Sequence, residues 1–174
     1  MSISQVLLPE FDQEMASTRK LLECIPEGKW DYKPHEKSMA MGRLAGHIAE
    51  LPGWSKMIME IDHLNLDEGD MKPFVPASRK ELLDAFDKGV REGRAAIAAA
   101  GDDHLHKHWS MTFGGQKIID SPRAEVLRTW CFNHLIHHRA QLGVYLRLNN
   151  VAIPGMYGPS ADDMAAMQNA GKPA

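Results

Sequence analysis

Three histidines fall inside FNHLIHHRAQL, residues 132–142, a stretch that otherwise has the composition of a buried helix. A buried polar ring without a partner costs about 1–3 kcal/mol, so imidazoles at such positions call for a ligand or a hydrogen bond. His134 and His138, spaced i and i+4, project from one helix face one turn apart. On a wheel of ~100° per residue, Leu127, Trp130, Cys131, His138, Gln141 and Tyr145 lie within roughly 60° of His134. Arg128, Arg139 and Arg147 collect on the other side. His134 and His138 are therefore expected in the middle of the buried stripe, His137 at its margin, and Arg139 away from the chemistry.

A second helix offers the complement. In LAGHIAELPGW, residues 44–54, His47 shares its face with Leu44, Leu51, Trp54, Ile58 and Ile61. Three neutral imidazoles from two helices can surround one divalent ion at ~2.0–2.1 Å and still leave positions open for water or substrate. Zinc is the first expectation from imidazole preference, nickel the next. The competing reading keeps His47, His134 and His138 as separately hydrogen-bonded core residues. Trp54, Gln141 and Tyr145 are candidates for lining a pocket, and Glu50 for accepting a hydrogen bond from the second ring nitrogen of His47. Cys131, one turn before His134, reads either as an additional thiolate or as a small buried hydrophobe. A rival cluster is HLHKH, where His104, His106 and His108 would share one face of a strand beside a turn. Trp54, Trp109 and Trp130 otherwise read as core aromatics. Gly114-Gly115 lacks the Lys-Ser or Lys-Thr sequel of a phosphate loop and reads as a turn.

Four segments with helical periodicity must position these groups. The first, 4–25, carries Leu7, Phe11, Thr18, Leu22 and Ile25 and stops at Pro26–Gly28. The second follows Ser38, a potential N-cap, and reaches about residue 64, with Pro52 expected to kink or split it. The third starts at a Ser78/Glu81 capping box and carries Leu83, Phe86, Val90 and Ile97 up to Gly101. Residues 104–120 alternate around Gly114-Gly115 as a short β-hairpin. The fourth and longest helix is expected to be capped by Ser121, opened by Pro122, and to run to about 149. The fold expected is all-α, a four-helix bundle over residues 1–160 with a short β-hairpin between helices 3 and 4. Residues 161–174 would follow as a partly mobile C-terminal tail, having little to bury.

Composition narrows the function. The 174 residues are 44% hydrophobic and 25% charged, with a net charge of −3, which suits one domain with a single core. Basic residues are interspersed with acidic ones, so no field favours nucleic acid or an anionic membrane. The two cysteines, Cys24 and Cys131, read as reduced thiols of a cytoplasmic protein. The N-terminal residues show no basic leader followed by a long apolar run.

The stretch NHLIHHRAQLGVYLRLNNVAIPGMYGPSADD, residues 133–163, together with GHIAELPGW, residues 46–54, resembles the DinB-like (DinB/YfiT) superfamily of metal-dependent proteins. The resemblance rests on HxxxHR followed by QL, the PxxYGP loop and the single upstream histidine, and extends over nearly the whole chain in element order. It implies a four-helix bundle, often dimeric, whose histidine triad binds zinc, nickel or a similar ion. By position the triad is His47, His134 and His138. Related members include thiol-dependent transferases using bacillithiol or mycothiol and a glutathione-dependent isomerase. The implied chemistry is therefore a metal-dependent transferase acting with a low-molecular-weight thiol, or a related hydrolase, with a small-molecule substrate and a homodimeric assembly. The alternative is a non-catalytic metal- or ligand-binding stress-response protein. No residue here matches the binding site of a particular thiol.

Overall fold

Helix α1 (Ile3–Glu23) begins where Ser2 and Gln5 satisfy each other. The Ser2 hydroxyl accepts from the Gln5 N–H, and the Gln5 side chain accepts from the Ser2 N–H at 2.9 Å. This is a capping box that removes two orphan donors. The computed structural model describes residues 1–69 and 72–170. Within them the chain is mostly helical, with a small three-stranded sheet.

Helix α2 (Met41–Glu60) starts later than the sequence suggests, and Ser38 does not cap it. Ala40 precedes it without a side-chain hydrogen bond. Backbone carbonyls do the capping instead: Met41 N–H donates to Tyr32 O at 2.9 Å and Gly42 N–H to Trp30 O at 2.8 Å. The helix runs unbroken through Pro52. Helix α3 (Arg79–Ala99) lies so close there that a Cβ at Gly93 would sit 2.3 Å from the Pro52 carbonyl oxygen, so the crossing requires glycine. Ser78 caps α3 by accepting from Glu81 N–H at 3.1 Å, while the Glu81 carboxylate accepts from Ala77 N–H rather than from Ser78.

The hairpin forms as strands β2 (His108–Phe113) and β3 (Gln116–Pro122), joined through Gly114 and Gly115 at φ 59° and 71°. That conformation needs residues free to take positive φ at both turn positions. A third strand, β1 (His63–Asn65), pairs parallel with β2 and was not anticipated, because three residues are too few to carry a periodicity. The HLHKH segment is not a strand. Asp102–His106 form the short helix α4, its first turn carrying Asp102 and Asp103, and only His108 reaches the sheet.

Ser121 and Pro122 likewise remain in β3, and the last long helix begins at Arg123 with no side-chain cap. Its parts follow without interruption: α5 (Arg123–Val126), a π-helical segment (Leu127–Asn133) and α6 (His134–Leu148). The Arg123 guanidinium, 1% exposed, donates to Ile58 O at 2.9 Å, to Ile61 O and His108 O at 3.1 Å, and pairs with Asp62. It thereby satisfies carbonyls that the end of α2 leaves without intrahelical partners. Phe11, Leu44, Ile48, Leu51, Leu82, Phe86, Leu127, Phe132, Leu135 and Leu142 pack between the long helices with at most 1% exposure.

Beyond α6, residues 161–170, expected as tail, fold into helix α7 (Ala161–Ala170), none of it buried. Short acidic side chains anchor it. Asp163 accepts from Gly155 N–H and Ser160 N–H at 2.8 and 2.9 Å, and Asp162 accepts from Ile153 N–H at 3.0 Å. The rest of the expected tail, 171–174, lies outside the described residues. No helix among the described residues is long and apolar enough to cross a membrane.

Candidate metal centre

His47 projects from α2 and His134 and His138 from the first turns of α6, so that one candidate donor atom from each lies within 4.8 Å of the others. His47 Nε2 is 3.2 Å from His134 Nε2, which is 2.9 Å from His138 Nε2. Nitrogens held ~2.0–2.1 Å from a common ion at angles between octahedral and tetrahedral are separated by about 2.9–3.4 Å.

Hydrogen bonding alone cannot satisfy this geometry. A neutral imidazole nitrogen either donates or accepts. His138 Nδ1 lies 2.8 Å from Gln141 Oε1, an acceptor, so the ring proton sits on Nδ1 and the Nε2 lone pair faces the cluster. His134 spends its own ring proton on the backbone of Trp130, so its Nε2 is bare as well, and the 2.9 Å contact between His134 Nε2 and His138 Nε2 has no proton to share. A cation among the three nitrogens resolves all of them at once, so this donor set fits a divalent ion.

The electrostatics favour the ligating form. Burial, followed by the neighbouring His138 and His134 and then Arg43, pushes the His47 pKa down to about 4. His134 is lowered by burial and by His138, against a backbone hydrogen bond with Trp130. His138 is lowered by burial, against its bond to Gln141. All three rings are thereby biased towards the neutral state that a metal requires.

The three histidines expected to converge do so, but not at the centre of the buried stripe. They are half-buried, whereas Leu127, Cys131, Leu135, Arg139, Leu142 and Leu146 are the residues withdrawn from solvent. The π-helical segment explains the offset. Accommodating an extra residue per turn, it rotates everything after Asn133 relative to an α-helical wheel drawn through Leu127. The same rotation overturns the placement of Arg139, which is 2% exposed and forms an ion pair with Glu14 at 2.6 Å. It also donates to Glu14 O and Thr18 Oγ1, both at 3.1 Å, and to Tyr157 Oη at 2.8 Å. Sequence reasoning missed this cluster because the wheel assigned Arg139 to the outside.

Of the pocket candidates, Trp54 stands edge-on to both His47 and His134 at centroid distances of 5.7 Å. Trp130 stands over His134 at 5.9 Å. Gln141 lies behind His138 and also contacts His137 Nε2 at 3.1 Å. Tyr145 donates to Met39 O at 3.2 Å and packs against Tyr32. Glu50 does not support His47 directly. Its carboxylate is 3.9 Å from His47 Nδ1 and accepts instead from Phe74 N–H at 3.2 Å. Cys131 is not among the donors that converge; it is buried, and burial pushes its thiol up to about 12. The rival histidines are dispersed: His104 meets Met59 O at 2.9 Å and His108 meets Asp120 at 2.8 Å.

Comparison with known proteins agrees along the whole molecule. The DinB family model matches residues 1–171. The uncharacterized protein YrdA of Bacillus subtilis (strain 168) is 24% identical over 158 residues, covering 91% of this chain and 90% of that protein. The crystal structure of a DinB-like protein from Bacillus cereus ATCC 10987 superposes with a TM-score of 0.67 at 25% identity, covering 86% of this chain and 95% of that one. The DinB-like protein YjoA of Bacillus subtilis shares the fold, with a TM-score of 0.65 at 20% identity over 86% of this chain and 96% of that one. With a family model that spans residues 1–171 and solved structures of the same fold, this chain belongs to the DinB family.

Proposed function

We propose that this protein is a metal-dependent enzyme in which His47, His134 and His138 hold one divalent ion, zinc first and nickel next. The observation that carries this reading is the approach of His134 Nε2 to both His47 Nε2 and His138 Nε2, at 3.2 and 2.9 Å, an arrangement protons cannot satisfy. A bound ion supplies a Lewis acid that makes a thiol or water nucleophile available at neutral pH. The chain's own residues do the rest. Helices α2 and α6 hold the ligands, Gln141 fixes the His138 tautomer, and Trp54 and Trp130 shield the rings from water on their flanks. Three protein ligands leave coordination space for a small substrate. That space suits transfer of a low-molecular-weight thiol, or hydrolysis.

In this reading α1, α2, α3 and the continuous α5–α6 helix constitute a four-helix bundle, with the hairpin across its end. The protein works in the cytoplasm with both cysteines reduced, consistent with Cys24 and Cys131 being free. It acts as a homodimer, for which the support is a pair of apolar residues one turn apart on α6, Val144 and Leu148, 58% and 57% exposed. Neither nucleic acid nor membrane is a partner, in keeping with the net charge of −3.

Elemental analysis of protein made without a histidine tag tests the centre. About one ion per chain is expected, lost in both His47→Ala and His134→Ala. Absence of metal from wild type after reconstitution with zinc and with nickel overturns the reading. Metal without turnover of any thiol and electrophile pair would transfer the assignment to a non-catalytic metal-binding protein.

A further inference from the structure

Next to the histidines, under the sheet, lies a cavity of about 170 Å³. Its inner wall is buried, formed by Ile58 of α2 and by Trp109 and Met111 of β2, and its rim is half-buried, formed by Trp54, Leu66 and Trp130. No charged side chain lines it. Apolar cavities of roughly 150 Å³ stay dry and accept a benzene-sized guest, so this space matches one six-membered ring or a branched alkyl group of about six carbons. Methionine in the wall adapts to either shape.

Position gives the cavity its meaning. Trp54 and Trp130 line it and are also the two indoles that touch the triad, at 5.7 Å from His47 and His134 and 5.9 Å from His134 respectively. Trp54 lies seven residues after His47 on α2, and Trp130 lies four before His134. The same two indoles border the cavity and pack on the triad rings, which puts the cavity and the histidines within the length of a single small molecule. The hydrophobic wall and the nitrogen donors share two side chains.

We propose that this cavity is the subsite for the apolar group of the substrate, and that substrates are small molecules joining one ring or compact alkyl group to a metal-ligating or electrophilic group placed at the triad. The polar half of this assignment rests on the metal-centre reading above; the apolar half stands on the cavity.

The test uses two probes on zinc-loaded protein, acetohydroxamate and phenylacetohydroxamate, which share a metal-chelating group and differ by the ring. Benzyl alcohol, followed by tryptophan fluorescence on metal-free protein, probes the cavity alone. Phenylacetohydroxamate is expected to bind at least tenfold more tightly than acetohydroxamate, and benzyl alcohol to bind with one-to-one stoichiometry. Met111→Trp, which fills the inner wall, and Leu66→Trp, which fills the rim, should each abolish the ring's advantage and the benzyl alcohol signal. Unchanged helical circular dichroism and zinc stoichiometry in these variants show that they are folded. Equal affinity for the two hydroxamates, or an advantage that survives both substitutions, overturns the proposal. If zinc itself does not bind, the metal-centre reading fails and takes the coupling to the triad with it; that failure is recognised because benzyl alcohol still binds.

Discussion

His138 and Arg139 are neighbours in sequence and belong to two polar constellations on different faces of α6. Around Arg139 the polar groups are matched: a buried guanidinium meets the buried Glu14 carboxylate, Thr18 and a backbone carbonyl accept from it inside the core, and Tyr157 closes the cluster at the surface. Around His138 the rings are half-buried and neutral-favouring, and their nitrogens approach one another more closely than their protons can reconcile. The first constellation is closed and holds α6 and the 157 loop against α1. The second is open, and the open one has the means to take a ligand.

Breaking the closed cluster should have the largest effect. Glu14→Ala strands a buried guanidinium, for which a loss of about 3–5 kcal/mol is expected, measurable by urea denaturation as a lower midpoint. The folded fraction should keep its metal stoichiometry. The open cluster should respond the other way. Adding zinc at a hundred times its dissociation constant should stabilise wild type by about 2.7 kcal/mol, and a thermal melt of His134→Ala should show no such gain. A still smaller effect sharpens the role of Gln141. Gln141→Leu removes the acceptor that fixes the His138 tautomer and should weaken zinc binding about 10- to 100-fold in a competition titration with a chelator, without loss of stoichiometry.

A last test reads the pH dependence of the same cluster. His47 titrates near 4 when folded and near its ordinary 6.5 when unfolded, so between those values the unfolded chain holds more protons. The stability of the metal-free protein should therefore rise from pH 4 to 6.5 and level off above. His47→Gln should flatten that rise in denaturation curves collected across the window. A rise of equal size in the variant would show that His47 is not responsible.

Local signals carried much of the architecture. Gly114-Gly115 announced a hairpin because few other residues tolerate positive φ at both turn positions, and Ser78 announced the start of α3 through its hydroxyl. The triad was legible from residue type and spacing: two imidazoles at i and i+4 on one helix, and a third on the apolar face of another. Other features left no such trace. β1 is three residues long, and α2 is capped by carbonyls of Trp30 and Tyr32 that no side-chain motif reveals. Arg123 is buried because the end of α2 and the start of β2 bring unpaired carbonyls to it. The polar stretch 161–170 becomes a helix because Asp162 and Asp163 find backbone donors in the 153–160 loop.

By itself the sequence determined the chemistry available: imidazole donors at helical spacing, a tryptophan on the face of His47, and a basic residue directly after His138. Side-chain type and the 3.6-residue repeat are local properties, readable wherever the helix is regular. Tertiary structure decided which of those groups is open and which is closed. The π-helical segment turns α6 so that Arg139 enters the core and His134 and His138 stand at its edge. Packing of α2 against that edge brings His47, 87 residues distant, to within 3.2 Å of His134. A wheel drawn from one helix contains neither the change of register nor the partner that closes the contact.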